Sequence, residues 1–349
     1  MRRKALHYVK LGDGKVKCTL CPRGCVLAPG QTGSCRARRN INGELYTLVY
    51  GSLTAANVDP IEKKPLFHFW PGSTIFSIST FGCNLHCIFC QNFELSQVGE
   101  EEAIVKDMDP ERVVKLAKRY GCKSIAFTYN EPVISHEFNL DVMKIAKKEG
   151  IYTVYVTNGY ITSEALEEIL PYLDAANVDL KCIDSEFYRK LCGIPDNTPI
   201  FEATKTMKEK GVHVEVTNLL IPGYNDREDQ IRRLARWVVE NLGPETPIHF
   251  SRFYPHYKMT ETPPTPVTTI EKAREIAVNE GAYYVYVGNV PGHKGENTYC
   301  PSCGFTLVKR YGFEILEWKI KDGKCPNCGR KIEIVGEYVR TRYLTFLFF

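Results

Sequence analysis

The sequence predicts an α/β fold: a partial (β/α)6 TIM-like barrel between two cysteine-rich flanks. From residue 73 to 292, short apolar patterns rich in β-branched residues alternate with helical ones, as in a parallel sheet with helical crossovers. Helix start and stop residues fall where those patterns need them. The flanks lack the alternation and carry cysteines among glycine and proline instead.

Strands are predicted at residues 74–80, 123–128, 151–157, 175–180, 212–219 and 247–253, each short and rich in β-branched or aromatic residues. Helices are predicted at 110–120, 136–149, 163–172, 201–210, 228–241 and 270–280. Asp109 can cap a helix that begins at Pro110, where a missing N–H costs nothing. Gly121, Gly150 and Gly211 follow helix ends that want a left-handed residue. An extra strand is predicted at 283–287. The run Thr262-Pro263-Pro264-Thr265-Pro266 can neither continue a helix nor pair as a central strand, so it reads as a loop near the barrel mouth. In such barrels chemistry gathers at the C-terminal ends of the strands. The predicted organisation is an N-terminal Cys-rich metal-binding segment (1–72, irregular towards Pro71-Gly72), the barrel (73–292) and a zinc-ribbon-like module (293–349).

A chain of 349 residues has room for about two domains and a sizeable core. The net charge of +4 is too small to mark a nucleic-acid binder by charge alone, and the patch Arg36-Ala37-Arg38-Arg39 reads as a solvated turn. The 14 cysteines are too few and too clustered for a secreted disulfide scaffold. The N-terminus lacks a signal-like apolar stretch, and no run of about 18 apolar residues could span a bilayer. The expectation is a cytoplasmic, reduced protein without a membrane partner. The closing Tyr343-Leu344-Thr345-Phe346-Leu347-Phe348-Phe349 reads as a strand or docking tail.

The most informative motif follows the first barrel strand: Phe81-Gly82-Cys83-Asn84-Leu85-His86-Cys87-Ile88-Phe89-Cys90, with C-x3-C-x2-C spacing. Three thiolates from one loop can hold three corners of an iron–sulfur cluster and leave one iron open. Zinc with a distant fourth ligand and buried inert thiols are the alternatives, although zinc sites are normally built from paired C-x2-C knuckles.

Motifs follow the other strands too. Thr128-Tyr129-Asn130-Glu131-Pro132 offers a carboxylate beside a proline-fixed turn, which could accept from an ammonium group or simply cap a helix. In Thr157-Asn158-Gly159-Tyr160 the glycine permits a tight turn, and the amide can both donate to and accept from hydroxyls. Asp179 and Lys181 lie on one side of their strand, as a functional pair or an ordinary salt bridge. The run from Asn218 to Asn225 offers backbone groups and an apolar surface. Arg252 and Tyr254 bring a cation and a ring to the mouth, whereas His249 on the strand itself reads as a satisfied core histidine.

The C-x3-C-x-aromatic-C loop, with Phe89 before Cys90, resembles the signature of the radical S-adenosylmethionine (SAM) enzymes. In order with the Asn-Glu-Pro, Thr-Asn-Gly and Asp-Leu-Lys motifs, residues 73–256 resemble the pyruvate formate-lyase activating enzyme-like branch. The resemblance implies a 4Fe–4S cluster on Cys83, Cys87 and Cys90, whose open iron binds SAM. It further implies a 5'-deoxyadenosyl radical and a flavodoxin- or ferredoxin-like reductant protein. It carries SAM binding over to Asn130, Glu131, Thr157, Asn158, Gly159, Asp179, Lys181, Asn218 and Arg252, with Glu131 at the place of the family's Gly-Gly-Glu carboxylate. Tyr129 and Asn130 replace the two glycines. Val156 stands where glycyl-radical activases have an acidic residue implicated in cation binding, which puts that site in doubt.

Cys300-Pro301-Ser302-Cys303-Gly304 and Cys325-Pro326-Asn327-Cys328-Gly329 are two knuckles at zinc-ribbon separation, so a structural zinc is expected there. Cys18, Cys21, Cys25 and Cys35 suit either zinc or a second iron–sulfur cluster. Cys122, Cys182 and Cys192 read as core packing. The N-terminal segment together with the terminal knuckles is similar to the AmmeMemoRadiSam group, which implies Memo-like and AMMECR-like partners and leaves the substrate unidentified. A glycyl-radical-enzyme activase is the narrower alternative, and a zinc-ribbon nucleic-acid-binding protein the alternative from another class.

Overall fold

The computed structural model describes residues 2–341; the closing run 343–349 lies outside them. Eight strands form the central sheet: β1 Ala55–Pro60, β2 Thr74–Ser79, β3 Ser124–Phe127, β4 Tyr152–Thr157, β5 Ala175–Asp179, β6 His213–Leu220, β7 Ile248–Arg252 and β8 Val285–Gly288. They lie in that spatial order. All neighbouring pairs from β2 to β8 are parallel, and β1 runs antiparallel along β2.

Crossover helices α1 Pro110–Arg119, α2 His136–Lys148, α3 Ser163–Ile169, α4 Thr198–Glu209, α5 Glu228–Leu242 and α6 Val267–Asn279 follow β2 to β7 in turn. Six β/α units and one further strand therefore make the open barrel. The Asp109 side chain caps α1 by accepting from the Arg112 N–H, with Pro110 in the first turn. Predicted boundaries shift by a few residues, as fraying ends allow. The starts of α4 and α6 both move three residues earlier, to Thr198 and Val267, and Pro199 stands in the first turn of α4.

The stretch before Gly72 is more ordered than expected, since β1 pairs with β2 over six residues. Its buried, apolar register against Phe76 and Ile78 explains the pairing. Ile61, Leu66 and Phe69 then pack with Ile75, Val154 and Ala175, filling the barrel at the starting ends of the strands. That end is plugged, so the accessible chemistry lies at the other.

The N-terminal segment forms two small antiparallel sheets. His7 Nε2 and His136 Nε2 both approach Glu168 Oε2, at 2.9 and 2.7 Å, and tie this segment to α2 and α3. The expectation of a solvated Arg36–Arg39 turn is corrected here. Arg38 begins a strand, is 1% exposed, and pairs with buried Glu137 at 2.6 Å. A charge can be buried at such a place because its partner is buried with it.

The C-terminal module is a three-stranded sheet, Thr298–Tyr299, Thr306–Tyr311 and Glu314–Trp318, packed through Leu307, Val308 and Ile332 against Phe67, Tyr284 and Tyr286. No helix among the described residues is long and apolar enough to cross a membrane.

Candidate active site

The three-cysteine loop leaves β2 at the C-terminal edge of the sheet. Gly82 turns it with a φ of +87°, and a Cβ there would lie 2.2 Å from the Cys35 carbonyl oxygen. Asn130 holds the same turn, donating to Thr80 Oγ1 at 3.1 Å and to the Gly82 carbonyl at 3.0 Å. Further along, the N–H groups of His86 and Ile88 donate to the carbonyls of Cys192 and Leu191. Backbone bonds thus fix the loop before any ligand binds.

Cys87 is buried, and Cys83 and Cys90 are part-exposed. Burial pushes the Cys83 thiol well above its ordinary pKa, and burial also raises that of Cys90. Cys87 is lowered, because the Cys192 thiol donates to it. Beside Cys87 stands Lys181, whose Nζ lies 2.8 Å from Asp179 Oδ2. Burial works against that ammonium, yet Asp179, Cys87 and Cys192 outweigh it and hold the Lys181 pKa well above the ordinary value. Asp179 and Lys181 therefore form a salt bridge, and it faces a loop cysteine.

Phe89 is buried against Phe187, with ring centroids 5.8 Å apart, and shields the loop from water. The three thiols are not gathered as tightly as the four C-terminal ones, whose sulfurs all lie within 4.8 Å of one another. A looser set suits a cluster in which each thiolate binds a different iron. Three converging thiols with no fourth beside them in the loop fit that group.

The strand-end residues assemble around this loop, with roles unlike several of those expected. Glu131 accepts from Thr157 Oγ1 at 2.6 Å, the Asn158 N–H at 2.7 Å and the Val133 N–H at 3.1 Å. Burial pushes its pKa up to about 7 against the pull of those donors. Its carboxylate is committed to the protein and positions the Thr157–Asn158 turn, rather than standing free for an ammonium ligand. Asn158 Nδ2 donates to Asn84 Oδ1 at 3.0 Å and lies 3.8 Å from Cys83 Sγ, so this amide is turned to the loop. Gly159 carries the turn with a φ of +73°.

Arg252 is also committed, donating from Nε to the Thr265 carbonyl at 2.7 Å and lying over the Tyr254 ring. The proline-rich run is a loop, as its composition predicts, and it holds Arg252 at the end of β7. Asn218 donates to the carbonyls of Leu180 and Lys181 and keeps a buried, unpartnered Oδ1. His249 pairs with Glu215 at 2.7 Å inside the core, as expected of a satisfied histidine.

Tyr129 takes a φ of +66°, a glycine-like conformation at the place of a motif glycine. Its hydroxyl donates to buried Asp59, and Lys64 Nζ lies 4.3 Å from its ring centroid. Such a conformation costs an L-residue about 1–2 kcal/mol and persists where surroundings enforce it.

Two residues here escape a reading by motif. Asn84 bridges the loop to β4, donating to the Tyr160 carbonyl at 2.7 Å, and the interior of a cysteine spacing carries no signal for that. Cys192 packs in the core, as expected, and there it also meets Cys87 from more than a hundred residues away.

Residues 77–237 match the Radical SAM superfamily. An uncharacterized protein of Methanocaldococcus jannaschii is 47% identical over 335 residues, covering 95% of this chain and 99% of that protein. The pyruvate formate-lyase 1-activating enzyme of Escherichia coli is 27% identical over 161 residues, 45% of this chain and 65% of that enzyme. Among solved structures, a radical SAM methyltransferase from Sphaerobacter thermophilus shares the fold, with a TM-score of 0.50 and 17% identity over 65% of this chain and 71% of that one. With the loop at the strand ends and these similarities together, the chain belongs to the radical SAM superfamily as a homologue of pyruvate formate-lyase activating enzyme-like proteins.

Proposed function

We propose that this enzyme reductively cleaves SAM, with Cys83, Cys87 and Cys90 holding a 4Fe–4S cluster. The observation that carries the reading is the three-thiol loop fixed at the C-terminal ends of the parallel strands. When bound, the cluster and SAM supply one-electron cleavage of the sulfonium C5'–S bond, releasing methionine and a 5'-deoxyadenosyl radical that abstracts hydrogen from a substrate.

The protein's own part is to bind, orient and exclude water. Lys181 puts a fixed cation beside Cys87 and offsets the negative charge that metal thiolates accumulate. Asn130, Glu131 and Thr157 hold the turns on which Cys83 and Asn158 sit. The free Oδ1 of Asn218 is an acceptor for a ligand amine or hydroxyl. A flavodoxin- or ferredoxin-like protein is the reductant in this reading, and a zinc ion fills the C-terminal thiol set.

Anaerobically reconstituted protein should release 5'-deoxyadenosine from SAM under dithionite, and Cys87→Ala should abolish the release. Undiminished cleavage by that variant would overturn the assignment. The similarity to the Escherichia coli activating enzyme favours a second reading, a glycyl-radical activase. Its mark is a glycine-centred EPR signal on a partner protein incubated with this enzyme and SAM.

A further inference from the structure

The four N-terminal cysteines surround a cavity that the reaction above does not use. Cys18, Cys21, Cys25 and Cys35 line a small cavity of about 20 Å³, together with Leu20, Leu27, Val133 and Ile134. Protein interiors are close-packed, and voids larger than a water molecule are few. A void bordered by four thiols is where a thiolate-bound group would sit.

The same chain supplies the comparison. Zinc holds each sulfur at about 2.3 Å, which sets tetrahedral sulfurs about 3.8 Å apart. The C-terminal set matches, with Cys300 and Cys328 sulfurs 3.5 Å apart and those of Cys303 and Cys325 3.7 Å apart. The N-terminal four form no such close group among the described residues. A cubane cluster accounts for the wider spacing, because each thiolate binds its own iron around a core of inorganic sulfide.

A second observation points into the same cavity. Arg38 lines it, is 1% exposed, and keeps Nε and Nη1 without partners while Nη2 bonds Glu137. Unpartnered buried guanidinium donors are costly unless an anionic or sulfur acceptor meets them. Charge does not separate the metals, since four thiolates leave a net negative site around either. Sulfur spacing does.

We propose that Cys18, Cys21, Cys25 and Cys35 bind a second iron–sulfur cluster, with Arg38 donating to it. All four corners are closed by protein, so this cluster offers no iron to SAM or substrate. It lies against the first site: Asn84 also lines the cavity, and Arg23 on its wall donates to the Asn84 carbonyl at 2.9 Å.

The test is independent of SAM cleavage. In the variant Cys83→Ala/Cys87→Ala/Cys90→Ala, anaerobic reconstitution should leave about four irons and four sulfides per chain, half the wild-type load of about eight. Dithionite should then elicit an EPR signal from the remaining cluster. Adding Cys21→Ser and Cys35→Ser should remove that iron and leave C-terminal zinc in place. Anomalous diffraction at the iron and zinc edges from reconstituted wild-type crystals avoids any folding defect of the variants. Iron at the N-terminal cysteines is the expected result; zinc there, or no metal, would overturn the proposal.

Discussion

Glu131 accepts a 2.7 Å hydrogen bond from the backbone N–H of Asn158, joining the turn after β3 to the turn after β4 directly behind Cys83. The contact makes a buried carboxylate the hinge pin of the site. Its ionised form lacks water, and its three donors compensate only in part.

A pH dependence follows from that burial. The native pKa of about 7 exceeds the ordinary value of 4.5, so between them the folded state holds the proton more tightly than the unfolded state. Stability from Glu131 is therefore fully present below about pH 4.5 and lost as pH rises through about 7. Denaturant unfolding of wild type and Glu131→Gln, compared at about pH 5 and about pH 8, should shift in the variant's favour at the higher pH by on the order of 3 kcal/mol. A difference between the two proteins that does not change with pH would contradict a buried, proton-holding Glu131.

Gly82 is where the three-cysteine loop meets the N-terminal cysteine segment. Alanine there would combine a φ of +87° with a Cβ 2.2 Å from the Cys35 carbonyl, and backbone cannot yield as a side-chain tip does. Gly82→Ala should displace the loop and remove most of the iron held by Cys83, Cys87 and Cys90. Gly223→Ala is the control, because its φ of +80° carries similar strain but nothing lies within 4 Å. That variant should lose about 1 kcal/mol and keep its iron. Equal iron in both reconstituted proteins would show that the approach to Cys35 does not matter.

Much of this architecture is legible in the chain because it rests on local chemistry. Alternating patterns and helix caps such as Asp109-Pro110 give the six β/α units, and tight cysteine spacing gives the loop and the C-terminal knuckles. What escapes is set by distant partners. Arg38 looks like a surface charge until Glu137, 99 residues away, is brought against it. Glu131 looks like a ligand for the SAM ammonium until Thr157 at the end of β4 and Asn158 after it are seen to be its donors. Cys192 has no neighbour in sequence that would mark it, and only the fold sets it against Cys87. Tyr129 shows the converse: a departure from a glycine motif keeps the glycine-like backbone, because Asp59 and Lys64 hold its ring.

The C-terminal module gives the last prediction. Its four sulfurs already stand at zinc-binding separation, and Cys303 and Cys328 are exposed to a chelator. Metal binding in small modules supplies roughly 10 kcal/mol or more of folding free energy, so this sheet should not survive its loss. Trp318 is a local reporter, stacked on Tyr338 with ring centroids 4.8 Å apart. Cys303→Ser should bind about one zinc fewer per chain. It should alter tryptophan emission and open the 298–334 segment to protease, while the loop on Cys83, Cys87 and Cys90 keeps its iron. Among the described residues, only Phe67, Tyr284 and Tyr286 join the module's apolar cluster from the barrel side, so the damage should stop at that seam. Unchanged zinc content and emission in the variant would mean that these thiols do not hold the module together.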